Sequence, residues 1–83
     1  MYRLIRERDG LIKESEKILF VEFNENGTFK EKHSTIKVGR HLLMSPFNMY
    51  YEWLTTEIVE ILEETDDHCK FKTENSIYTL FNE

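Results

Sequence analysis

The side chains able to carry chemistry are few. The chain has one cysteine, Cys69, and three histidines, His33, His41 and His68. A thiol nucleophile needs an adjacent base and a partly exposed, activating site. Cys69 falls instead on the apolar side of the pattern Cys69-x-Phe71, which reads as a core position. The histidines, with a carboxylate such as Asp67, lack the short spacings shared by metal motifs. His68 and Cys69 are adjacent, so on a strand they point to opposite faces and cannot share one ion. The three glycines, Gly10, Gly27 and Gly39, are too far apart to cradle phosphate, and neither GxSxG nor HExxH occurs. These readings point away from an enzyme, and no cofactor or metal is expected.

Two features suggest binding instead. From Lys30 to His41 the chain carries Lys30, Lys32, Lys37 and Arg40 against one acid, Glu31. Cations beside an aromatic such as Phe29 are what a small barrel uses on a single-stranded nucleic acid. Against that, the net charge of −5 repels nucleic acid and anionic lipid at long range. Residues 57 to 67 hold six acids and no base, a run able to mimic phosphate toward a basic partner. The second feature is the aromatic segment Phe47, Met49, Tyr50, Tyr51 and Trp53. Exposed, these residue types form binding hot spots; buried, they close a core. The leading expectation is a protein-interaction module that uses this segment and a sheet edge to bind another protein or a second copy of itself. Nucleic acid is the alternative partner, and no membrane partner is expected.

The elements that position these residues read mainly as strands. With 83 residues there is room for one domain and one core. Hydrophobic residues make up 40% and charged residues 33%, a composition that folds. Ile18 to Phe23 is rich in β-formers, and Asn24-Glu25-Asn26-Gly27 follows as a turn with Gly27 left-handed. That register sets Phe23 opposite Phe29 and Glu22 opposite Lys30. At the C-terminus Glu74-Asn75 joins two strands, pairing Thr73 with Ser76, Phe71 with Tyr78 and Cys69 with Leu80. Asp9-Gly10 suggests a turn between two short strands in residues 2 to 16. Residues 34 to 44 read as a strand interrupted at Gly39.

Residues 49 to 64 are ambiguous. Phe47, Tyr50, Tyr51, Leu54, Ile58, Ile61 and Leu62 recur at helical spacing after Ser45-Pro46, whereas the many aromatic and β-branched residues favour strand. Strand is preferred, as a local hairpin from Trp53 through Glu64. A helix at about 46 to 64 would make the fold α+β.

Trp53-x-Thr55-Thr56-x-Ile58-x-x-Ile61, followed by Phe71-x-Thr73-x-Asn75-Ser76-x-Tyr78-x-Leu80, resembles a pattern in uncharacterised small β proteins of bacteriophages and bacterial mobile elements. Gly39-x-x-Leu42 fits the same pattern. The resemblance covers about half the chain, implies a small Src-homology-3-like barrel and carries no catalytic residue.

The expectation is therefore an all-β domain over residues 1–83, a small antiparallel barrel or curled sheet of about four to six strands. Its core would be Leu19, Val21, Phe23, Phe29, Val38, Leu42, Ile58, Ile61, Phe71, Tyr78 and Leu80. The start of the chain has no apolar run of signal-peptide length, so a cytoplasmic location is expected.

Overall fold

The computed structural model describes residues 1–44 and 53–82. Among them are nine strands and no helix: β1 (Tyr2–Arg6), β2 (Ile12–Ser15), β3 (Ile18–Phe23), β4 (Phe29–His33), β5 (His41–Met44), β6 (Trp53–Leu54), β7 (Ile58–Glu64), β8 (His68–Thr73) and β9 (Ile77–Asn82). A five-stranded sheet runs β2-β1-β9-β8-β7 and a four-stranded sheet runs β4-β3-β5-β6, with every pairing antiparallel. The all-β expectation holds. The strands number nine rather than four to six, and they form two sheets that do not close into a barrel.

The turns are where the sequence placed them. Asn24 and Gly27 close the β3–β4 hairpin, with Gly27 N–H donating to Asn24 C=O at 2.9 Å and Gly27 at φ 84°. A left-handed residue is needed there, and only glycine adopts it without a Cβ clash. At the C-terminus Thr73 N–H donates to Ser76 C=O at 2.8 Å, and Phe71 opposes Tyr78 while Cys69 opposes Leu80. At the Asp9-Gly10 turn, Arg6 donates to both carboxylate oxygens of Asp9 at 3.0 and 2.7 Å. That hydrogen bond, with a second from the Leu11 N–H, lowers the Asp9 carboxyl to about 2.

Leu4, Phe20, Leu42, Met44, Ile58, Phe71, Tyr78 and Leu80 form the core between the sheets. Six of the eleven expected core positions are buried here or on the opposite face of the four-stranded sheet: Val21, Leu42, Ile58, Phe71, Tyr78 and Leu80. Ile61 packs against the cluster from its edge. Two expectations are overturned outright, because Phe29 and Val38 are more than half exposed. Leu19 and Phe23 are half-buried and lie outside the core cluster. The reason lies in β3, which is apolar on both sides. Phe20 opposes Leu42 and Ile18 opposes Met44, so Ile18 and Phe20 face the core and Leu19, Val21 and Phe23 face the other way.

Residues 53–64 do not form a local hairpin. Trp53 and Leu54 pair with β5 in one sheet, and β7 pairs with β8 in the other. The chain crosses between the sheets at Thr55–Glu57. Thr55 N–H donates to Leu42 C=O, Ile58 N–H to Arg40 C=O, and Gly39 N–H to Ile58 C=O, at 2.9, 2.8 and 2.8 Å. Of the expected strand at 34–44, only His41–Met44 is one, with Gly39 left-handed at φ 96° just before it.

The helical spacing in β7 has another origin. Ile58 opposes Thr73, Ile61 opposes Phe71 and Glu64 opposes Cys69, with register shifts between Ile58 and Glu60 and between Ile61 and Glu63. Each bulge adds one residue, so the inward face recurs every third position instead of every second. The same shifts bring Glu60 opposite Lys72 and Glu63 opposite Lys70, which pairs opposite charges across the outer face.

Candidate protein-interaction surface

Among the described residues, Cys69 and the three histidines are not brought together. Cys69 is half-buried against the core, and desolvation, reinforced by Glu64, pushes its thiol up to about 11. A protonated, desolvated thiol is a poor nucleophile. His68 sits on the opposite face of β8, its ring 5.7 Å from that of Phe81. His41 donates through Nδ1 to Thr55 C=O at 3.0 Å and meets Phe23 edge-on at 4.9 Å. The three histidines do not converge. Among the described residues the one grouping with metal-ligand spacing is Glu22, Glu31 and His33, within 4.8 Å of one another. Its Glu22 carboxylate is already engaged by Arg40 Nε at 3.4 Å and Lys30 Nζ at 3.8 Å, besides His33 Nε2 at 3.0 Å. Desolvation opposes the charge on Glu22, yet the Arg40 hydrogen bond and the charges of His33 and Lys30 hold its carboxyl below the ordinary value. This is an ion-pair network at the end of the sheet.

At the β7–β8 turn, His68 Nε2 donates to Glu63 Oε1 at 2.8 Å, while Nδ1 lies 3.1 Å from Asp67 Oδ1 and 3.0 Å from Thr65 Oγ1. The Glu63 hydrogen bond first, and Asp67 second, raise the imidazole above its ordinary 6.5. The hydroxyl of Thr65, and then His68, lower Asp67 below 3.8. A raised histidine stabilises the fold below its unfolded-state value, and that contribution is lost as pH rises through the folded value. A depressed carboxyl acts in the opposite direction, losing its contribution as pH falls through its own folded value. The wild-type melting temperature should therefore fall as pH is raised from about 6 to 8, and His68→Gln should flatten that slope. An equal slope in the variant would contradict the assignment.

The basic stretch divides once it is folded. Arg40 is largely buried; besides Glu22, its Nη1 donates to the carbonyl and hydroxyl of Thr35 at 2.7 and 3.0 Å. Lys30, Lys32 and Lys37 remain exposed. All but Lys37 of these lie on or beside β4, an edge of the four-stranded sheet that is exposed from Phe29 to Lys32. In β4 the expected pairing of Glu22 with Lys30 is corrected: Glu22 opposes Glu31, and Lys30 is the extra residue of a bulge, still within 3.8 Å of Glu22. The shift turns Lys32 toward the face opposite the core, across from Val21.

That outer face is apolar. Leu19, Val21 and Phe23 of β3, Leu43 of β5 and Leu54 of β6 share it by register, and Phe29 extends it to the β4 edge opposite Phe23. Val21 at its centre is only 2% exposed, whereas Phe29 is 57% exposed. Ile12, Val59 and Leu62 on the edge strands β2 and β7 are exposed as well, but among the exposed large hydrophobic side chains of the described residues Phe29 is the aromatic one, and it stands at the start of an edge strand.

Of the aromatic segment, Phe47, Met49, Tyr50 and Tyr51 lie outside the described residues. Trp53 is half-buried and packs against the core. Its ring lies 5.5 Å from the Arg6 guanidinium and 5.2 Å from Lys13 Nζ, so cations from β1 and β2 clasp a residue of the other sheet. Sequence reasoning missed Phe29 as a surface residue, because its pairing with Phe23 suits either face of the sheet. The clue was β4 itself, Phe29-Lys30-Glu31-Lys32-His33, whose remaining residues are all polar. No helix among the described residues is long and apolar enough to cross a membrane. No protein-family model, curated protein or solved structure matches the chain.

Proposed function

We propose that this chain is a non-enzymatic protein-interaction domain that takes up an extended segment of a partner along the open edge of β4. The observation that carries this reading is the exposure of β4 from Phe29 to Lys32, with Phe29 in water at its start and an apolar sheet face behind it. On an edge strand, alternate backbone N–H and C=O groups point away from the sheet, and an added strand satisfies them. Main-chain bonding supplies affinity in such complexes, and side chains on alternate positions supply choice. Phe29 is the anchor in this scheme, since exposed aromatics dominate the energetics of small interfaces. The experiment is amide hydrogen exchange with and without a strand-forming peptide. Slowing at Phe29–His33 is expected; slowing confined to other strands overturns the reading.

A further inference from the structure

Resting on that strand-addition reading, we infer that the occupant of the β4 edge is an acidic extended segment of a different protein. The edge carries Lys30 and Lys32, and Lys37 follows in the connection to β5; all three are exposed. The one acid of β4, Glu31, already faces His33 at 3.7 Å. Phe29 and Lys32 both lie opposite outer-face residues of β3, Phe23 and Val21. A matching strand therefore places an apolar residue beside Phe29 and a carboxylate beside Lys32. Opposite charges side by side on neighbouring strands attract, and like charges repel.

The same charges argue against a second copy. Antiparallel self-pairing of β4 about Glu31 would set Lys30 against Lys32 and Glu31 against itself. The acidic edge strand β7 of another copy has suitable charge, but its two bulges would have to match a β4 that carries its own bulge at Lys30, whereas a short extended peptide can adjust its register to β4 alone.

The test uses the intact chain and three capped peptides of one apolar pattern, alternating Val and Thr with Glu, with Gln or with Lys, followed by fluorescence anisotropy. The Glu peptide should bind about fivefold more tightly than the Gln peptide, as two exposed cross-strand charge pairs provide. Lys32→Glu should erase that preference, as should high salt. If the Gln and Lys peptides bind as well as the Glu peptide, the acidic occupant is wrong while strand addition stands. If none binds, and hydrogen exchange at β4 is unchanged by all three, strand addition itself fails. Self-association in sedimentation that Lys32→Glu abolishes would give the edge to a second copy and overturn the inference. Salt-sensitive binding of a single-stranded oligonucleotide that competes with the Glu peptide would overturn it equally.

Discussion

Replacing Phe71 by Ala should lower the unfolding free energy by about 3–5 kcal/mol, measured by chemical denaturation. Phe71 is fully buried. It stacks on Tyr78 with ring centroids 5.6 Å apart, and it lies opposite Tyr78 on one side and Ile61 on the other. Truncation removes the transfer energy of the ring and leaves a cavity that two hydrogen-bonded sheets cannot collapse to fill. A domain of this length has about 4–12 kcal/mol in total, so the variant should be largely unfolded or close to it at 37 °C. A loss below about 1 kcal/mol would mean that the sheets do not meet at this residue.

Phe29→Ala should have the opposite profile. With the ring more than half in water, its removal should change stability by no more than about 0.5 kcal/mol. Affinity for the Glu peptide should nevertheless fall about tenfold, the usual cost of truncating an aromatic anchor. The pair of phenylalanines thus separates core from interface within one experiment. If Phe29→Ala unfolds the domain, the side chain is part of the core and the proposed surface loses its anchor.

The two phenylalanines also show how far the sequence can be read. Phe71 alternates with Lys70 and Lys72, and a strand with one apolar and one charged face leaves a single choice of which side is buried. Phe29 is paired with a strand that is apolar on both faces, Ile18-Leu19-Phe20-Val21, where alternation gives no such choice. There the decision falls to contacts distant in sequence: Phe20 meets Leu42 and Ile18 meets Met44. Turns were legible because they depend on local chemistry, as at Asn24-Gly27, Asp9-Gly10 and Glu74-Asn75. The period-three pattern of Ile58, Ile61 and Glu64 was not, because two bulges imitate the spacing of a helix.

The same limit applied to the surface. The charge of Lys30, Lys32, Lys37 and Arg40 could be read directly, but not its division into an arginine bound inside an ion-pair network and three lysines left in water. That division depends on Arg40 meeting Glu22 and Thr35, contacts fixed only when β3 and β5 lie side by side. Trp53 is a similar case. As a lone aromatic it suits a binding loop or a core, and only the approach of Arg6 and Lys13 from the other sheet shows it holding the two together.

Everything proposed for this surface requires that β4 end its sheet with nothing bonded to its outer side. Residue-resolved amide exchange of the protein alone measures this most directly. In the free domain, alternate amides of Phe29–His33 should exchange nearly as fast as in an unstructured peptide while those of β3 are protected, and adding the Glu peptide should slow the fast set. Uniform protection of β4 before any peptide is added would mean that the edge is already covered, and would contradict the account.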